Sequence, residues 1–109
     1  MYSRGEIVLI PVPFSDLTAI KKRPVLVISN DIYNNRYQDM IVVAITSNLA
    51  QQGIPIASND MIFGQLPKPS VIRSDKIYTL NQNIVSKSIG RISDKAVDIV
   101  KADVITHIS

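Results

Sequence analysis

RPVLVISNDIYNNRYQDMIVVAIT, residues Arg23 to Thr46, is the stretch on which the fold turns. An apolar run stands at each end, Arg23–Ser29 and Met40–Thr46. Both are dense in β-branched residues and Leu, so both read as buried strands. Pro24 stands near the start of the first, where a missing N–H is tolerated. Between the runs, Asn30–Gln38 is polar and Asn-rich, which predicts a turn or one short helical turn.

Working outward, Glu6–Pro11 (EIVLIP) is a short apolar run that stops at prolines, a first strand. Pro13–Lys22 (PFSDLTAIKK) carries turn residues without a period and reads as a loop long enough to be functional. On the other side, Ser47–Gly53 is a polar loop, Ile54–Ala57 a short strand and Pro67–Pro69 a turn. Ser70–Leu80 (SVIRSDKIYTL) reads as a strand with imperfect alternation. Val71, Arg73 and Asp75 share one parity and Ile72, Ser74 and Lys76 the other, which predicts a bulge near Ser74. Ile84–Ile92 is a further strand, with Gly90 marking a bend or a close backbone approach. Ser93 is a helix N-cap, with Asp94 in the first turn favoured by the helix dipole. Val97, Val100, Val104 and Ile108 follow as one apolar stripe. The expected architecture is mainly β: five to seven short strands in a small curved antiparallel barrel, with a C-terminal helix packed on it.

The chain has 109 residues, room for one domain, expected to span residues 1–109. It contains no cysteine, which excludes a disulfide framework and a thiolate metal site. Arg4 and Glu6 interrupt any apolar N-terminal run, so no signal peptide is expected, and no stretch approaches the length of a membrane span. The expectation is a soluble cytoplasmic protein. The net charge of +3 is uneven. Lys68, Arg73, Lys76, Lys87 and Arg91 share one segment with only Asp75 to oppose them, and Lys21, Lys22 and Arg23 form a second cluster. In the C-terminal stretch, Asp94, Asp98 and Asp103 offset Lys95 and Lys101. The two clusters either track a phosphate backbone or are solvated surface charges.

The sequence shows no metal-ligand constellation, so no metal or other cofactor is expected. His107 is the single histidine and reads as a surface residue of the terminal helix. Glycine is scarce, which excludes the usual phosphate-binding loop, and no nucleophile-elbow spacing occurs. An enzyme built from these residues works with Arg, Lys, Thr, Ser, Asp or Glu, on a substrate that brings its own nucleophile or on water. RNA is such a substrate, because its 2′-OH attacks the adjacent phosphodiester. The protein then has to hold an in-line geometry, manage two protons and stabilise charge on phosphorus oxygens. A guanidinium suits the last task, because it presents several fixed donors to phosphate oxygens.

Five stretches, in order, resemble the MazF/PemK family of toxins, which shares its fold with CcdB: RGEIVLIPVPFSD (Arg4–Asp16), KRPVLVISND (Lys22–Asp31), VVAITSN (Val42–Asn48), KPSVIRSDKIYTL (Lys68–Leu80) and IGRISD (Ile89–Asp94). The resemblance covers nearly the whole chain. It implies a homodimer that cuts single-stranded RNA at short sequences without a metal, leaving a 2′,3′-cyclic phosphate and a 5′-hydroxyl. It also implies a cognate antitoxin whose flexible, acidic segment covers the RNA groove. Carried over by position, the catalytic arginine matches Arg23 and the catalytic threonine Thr46. The arginine is assigned proton transfer and charge stabilisation, and the threonine hydroxyl steadies the scissile phosphate.

The same mapping places RNA contacts in the first loop, with Phe14, Ser15 and Lys22, in the loop after Thr46, with Ser47 and Asn48, and around Arg73, Asp75 and Lys76. Phe14 is either a base-stacking residue or part of a core or dimer interface. Arg73 and Lys76 are either RNA contacts or an exposed strand face. Asp75 rejects phosphate, accepts from a base amino group or orients Arg73. Lys21 and Lys22 make the first loop unlike that of other members, so target preference does not carry over. Two other functions fit the fold. A gyrase-poisoning toxin of the CcdB type depends on a C-terminal Trp followed by Gly, whereas this chain has no Trp and ends in THIS. A catalytically inactive relic that binds nucleic acid or a partner would not need both Arg23 and Thr46.

Overall fold

The computed structural model describes residues 1–13 and 20–109. Seven antiparallel strands form one sheet: β1 Glu6–Pro13, β2 Ile20–Val27, β3 Asp39–Thr46, β4 Ile54–Ile56, β5 Met61–Gly64, β6 Ser70–Asn81 and β7 Lys87–Ile92. A short helix α1, Asp31–Arg36, joins β2 to β3, and α2, Asp94–Ile108, follows β7. The order across the sheet is β4-β6-β3-β2-β1-β7-β5, so two short strands form the edges. The sheet curls into a half-barrel, the open form of the expected curved barrel, and α2 covers one face.

Successive residues of a strand point to opposite faces. Leu26, Val43 and Ile45 pack with Val97 and Val100 of α2 in one core. Val25, Val27, Met40 and Val42 join Val8 and Ile10 in a second core on the other face, closed by Tyr2, Leu80 and Val85. A sheet covered on both sides needs apolar residues at both parities, which is why the two central runs do not alternate. Each Leu, Ile or Val fully withdrawn from water contributes roughly 1.5–3 kcal/mol.

The bulge expected near Ser74 is present. Val43 pairs with Ile77 while the next residue, Ala44, pairs with Arg73, so Ser74, Asp75 and Lys76 are looped out of register. Gly90 marks a close approach, as expected. At φ +153° it pairs with Gly64, and a Cβ there would lie 2.5 Å from the Phe63 carbonyl oxygen. The Ser93 hydroxyl accepts from the Ala96 N–H at 3.1 Å, which confirms the cap.

Three readings need correction. β2 begins at Ile20, not Arg23, because Lys21 and Lys22 pair with Val12 and Pro11 of β1. Pro24 therefore lies inside the strand, where it faces Leu9. The residues before Lys87 form a 3-10 turn, Gln82–Ile84, and not the start of a strand. At the end of the predicted stripe, Ile108 is 71% exposed, since it lies one turn beyond Val104, the last helical residue that packs on the cluster.

Candidate RNA-cleaving site

β2 and β3 pair Val25 with Ala44, Leu26 with Val43 and Val27 with Val42. Pro24 has no N–H to donate, and the ladder stops at Val25. Arg23 and Thr46 lie just beyond that end of the ladder, where Arg23 pairs with Ile10 and Thr46 with Val71. Both line one cleft of about 270 Å³. Its described walls carry Lys21, Lys22, Arg23 and Lys68 and no carboxylate, and Leu9, Ile45, Leu66 and Ile89 add an apolar surface. The ion pairs among the described residues engage Arg4, Arg73 and Arg91 but not Arg23 or these lysines. Such a cleft concentrates positive potential on a low-dielectric wall and attracts phosphate.

Thr46 sits at the last position of β3, and its Oγ accepts the Asn48 N–H at 3.1 Å. That bond fixes the hydroxyl and leaves its own O–H free to donate to a ligand oxygen. Ser47 lines the same cleft. Arg23 also forms the rim of a neighbouring apolar groove of about 350 Å³ that includes Ile10, Val12, Tyr78, Leu80 and Ile84.

Of the residues singled out from the sequence, Lys22, Arg23, Thr46 and Ser47 come together. Asn48 is not on the cleft wall; its side-chain oxygen accepts the Ala50 N–H at 3.1 Å and stiffens the loop. Phe14 and Ser15 lie outside the described residues. Lys76 is exposed in the bulge of β6. Arg73 and Asp75 line a separate cleft with Asp103 and His107. Of the arrangements the sequence left open for Asp75, the structure shows a contact with Arg73. The guanidinium donates from Nε to Oδ1 at 3.1 Å and from Nη2 to Oδ2 at 3.0 Å. A further bond runs from Arg73 Nη1 to Gln51 Oε1. The hydrogen bond from Arg73 holds the Asp75 carboxyl below its ordinary value, aided by the Lys76 charge, and the same bond raises Arg73.

Lys68 and Gln51 were not singled out for these clefts in sequence. Lys68 reaches the first through the Pro67–Pro69 turn, and Gln51 belongs to the loop after Thr46. Their proximity depends on the β3–β6 pairing, which brings Thr46 opposite Val71, and local pattern carries no record of it.

A curled antiparallel half-barrel with one terminal helix, holding a guanidinium and a hydroxyl in a cationic cleft, defines a class of small β proteins with a cleft suited to anions. The family described as PemK-like, MazF-like toxin of type II toxin-antitoxin system matches residues 3–108. The chain belongs to that family, a class of toxin endoribonucleases. It is 34% identical over 99 residues to endoribonuclease MazF of Staphylococcus saprophyticus, covering 87% of this chain and 81% of that one. It is 36% identical over 84 residues to endoribonuclease MazF6 of Mycobacterium tuberculosis, covering 73% and 72%. Among solved structures, a MazE-MazF complex from Deinococcus radiodurans superposes with TM-score 0.77 at 16% identity over 98% of this chain and 95% of that one, which shows the shared fold. No helix among the described residues is long and apolar enough to cross a membrane.

Proposed function

We propose that the protein cleaves single-stranded RNA at short sequences by metal-independent transesterification, with Arg23 and Thr46 as its catalytic residues. The observation that carries this reading is that both side chains line one cleft whose described walls hold four basic groups. The 2′ oxygen forms a bond to phosphorus as the bond to the 5′ oxygen breaks. The proton leaves the 2′-OH and a proton arrives at the 5′ oxygen, so the products are a 2′,3′-cyclic phosphate and a 5′-hydroxyl. Arg23 stabilises the charge that builds on the phosphoryl oxygens and serves the proton transfers. The Thr46 hydroxyl, steadied by the Asn48 N–H, donates to one of those oxygens. Lys21, Lys22 and Lys68 carry the neighbouring phosphates, and Ser47 adds a donor.

The protein acts as a homodimer in the cytoplasm. A second copy covers the apolar groove beside Arg23, where Tyr78 and Ile84 are 48% and 38% exposed. A cognate antitoxin neutralises it, consistent with the MazE-MazF complex of the Deinococcus relative. An acidic, disordered segment matches the cationic cleft electrostatically.

Purified protein is expected to scatter light as a dimer at micromolar concentration. It is also expected to cleave an unstructured RNA in EDTA, with a cyclic phosphate on the upstream product and a free 5′-hydroxyl on the downstream one. Cleavage that disappears with the chelator, or a 5′-phosphate product, would rule this chemistry out.

A further inference from the structure

The loop that follows Thr46, residues 47–53, is exposed at every position. No buried side chain fixes its path, so its shape rests on hydrogen bonds. Three of them belong to Asn48. Its N–H donates to the Thr46 Oγ, its carbonyl accepts the Gln51 N–H and its side-chain Oδ1 accepts the Ala50 N–H, each at 3.1 Å. Asn48 therefore opens a four-residue turn, residues 48–51. Asn is favoured at the first turn position because its side chain accepts from the N–H two residues on. The far end of the turn is held separately, by the bond between Gln51 and Arg73. Thr46 and Ser47 line the cationic cleft, whereas Asn48 is not on its wall.

We propose that Asn48 is a positioning residue for the Thr46 hydroxyl, an inference that rests on the ribonuclease reading above. A threonine hydroxyl has one proton and two acceptor positions, and its O–H rotates to suit its surroundings. The β-branched side chain has few rotamers, so the oxygen itself has a set place. The Asn48 N–H occupies one acceptor position of that oxygen and directs the O–H away from the turn. A phosphoryl oxygen in the cleft then meets the hydroxyl as a donor, and a donor fixed in advance is what the charge developing on that oxygen requires. The Asn48 N–H aims at Thr46 only while the turn keeps its shape. The bond from Ala50 to Oδ1 is what the Asn48 side chain adds to that shape.

Asn48 thus reaches the reaction through Thr46 and not through the RNA. The two routes use different atoms. Positioning needs only the acceptor Oδ1, and the amide NH2 takes no part in the turn. Aspartate keeps that acceptor and loses the NH2, so it preserves the turn while its charge weakens RNA binding. Alanine loses the turn bond. An effect that runs through Thr46 also has a ceiling: it cannot exceed the loss of the hydroxyl itself, and it vanishes once the hydroxyl is gone.

The test is a double-mutant cycle of Asn48→Ala and Thr46→Ala, read as the single-turnover rate of cleaving an unstructured RNA at saturating protein. Affinity is measured separately, on the 2′-O-methyl form of the same RNA, which cannot react. Asn48→Ala is expected to lower the saturated rate by about threefold to tenfold, and by no more than Thr46→Ala does. Its dissociation constant should stay within about twofold of the unmodified protein's, and on the Thr46→Ala background the same change should alter the rate by less than about twofold. Asn48→Asp, compared at saturation, should restore most of the rate. Amide hydrogen exchange reads the same geometry without catalysis: the backbone N–H of residue 48 should exchange faster in Asn48→Ala and in Thr46→Ala, but not in Asn48→Asp. Equal losses on both backgrounds, or weaker affinity at an unchanged rate, would make Asn48 an RNA contact and overturn the proposal. An unchanged rate in Asn48→Ala, or a loss in Asn48→Asp as deep as in Asn48→Ala, overturns it too. Failure of the unmodified protein to cleave removes the ribonuclease reading and this role with it, whereas cleavage that is indifferent to residue 48 removes only the role.

Discussion

At its Asp39 end β3 is tied down by amides, and at its Thr46 end it opens onto cations. Near Asp39 the buried Asn34 donates to the carbonyls of Tyr2 and Ser29 at 3.0 Å each and accepts from the Ser29 hydroxyl at 2.5 Å. The buried Gln82 accepts the Tyr2 N–H at 3.0 Å and donates to the carbonyls of Asn34, Tyr37 and Asp39 at 3.0, 3.1 and 3.3 Å. Two neutral side chains thereby satisfy backbone groups from the N-terminus, α1 and the start of β3. A cleft of about 650 Å³ lies at this end and is lined by Asn35, Gln38, Gln82 and Asn83 with Tyr37 and Arg36. At the Thr46 end the cleft is smaller and cationic. One end uses its polar groups on its own backbone, and the other leaves Arg23 and its lysines without an ion pair among the described residues.

The widest separation between the two ends is expected from Arg23→Ala. Cleavage of an unstructured RNA should fall by at least about a thousandfold, roughly 4 kcal/mol of transition-state stabilisation. The thermal midpoint should hardly move, because Arg23 is exposed. Substantial residual cleavage would place the chemistry elsewhere. Asn34→Ala tests the opposite end and should show the converse. Chemical denaturation should report a loss of about 2–3 kcal/mol, since buried backbone carbonyls lose their donors. The rate per folded molecule should stay the same, and a fallen rate at full stability would mean that the amide knot belongs to the site.

Thr46→Ala is expected to lower turnover by at least about tenfold, or roughly 1.4 kcal/mol, with the protein still folded. Unchanged turnover in single-turnover kinetics would remove the hydroxyl from the mechanism. The smallest effect belongs to the Arg73–Asp75 pair. Its folded carboxyl titrates below its unfolded value. The contribution to stability is therefore present above the ordinary carboxylate range and is lost as pH falls through the folded value. The pair is partly exposed, so solvent screens it. On acidification from neutral pH the unmodified protein should lose slightly more melting temperature than Asp75→Asn, and identical pH profiles would show that the pair contributes nothing to stability.

Much of the fold was legible in the residues themselves. Arg23–Ser29 and Met40–Thr46 declared buried strands because β-branched side chains at both parities fit only a sheet covered on both faces. Ser93 declared a cap, and Gly90 a close approach. Short edge elements were less legible. Met61–Gly64 became β5 without any pattern that marked it, because its order comes from pairing with β7 and not from burying a face of its own, with Ile62 and Phe63 58% and 57% exposed. In the site, Arg23 and Thr46 were legible through motifs that resemble those of a known family.

The sequence by itself determined which segments extend, where the helix begins, that the chain is basic, and which guanidinium and hydroxyl to suspect. Tertiary structure alone decided that Arg23, Thr46 and Lys68 line one cleft, that Asp75 and Gln51 hold Arg73, and that Asp103 reaches Ser74 of β6 from α2. Local propensity is a property of neighbours along the chain and leaves a periodic trace. Strand register and helix docking bring together residues far apart in sequence, and their partners are set by how two buried faces fit, which no local period encodes.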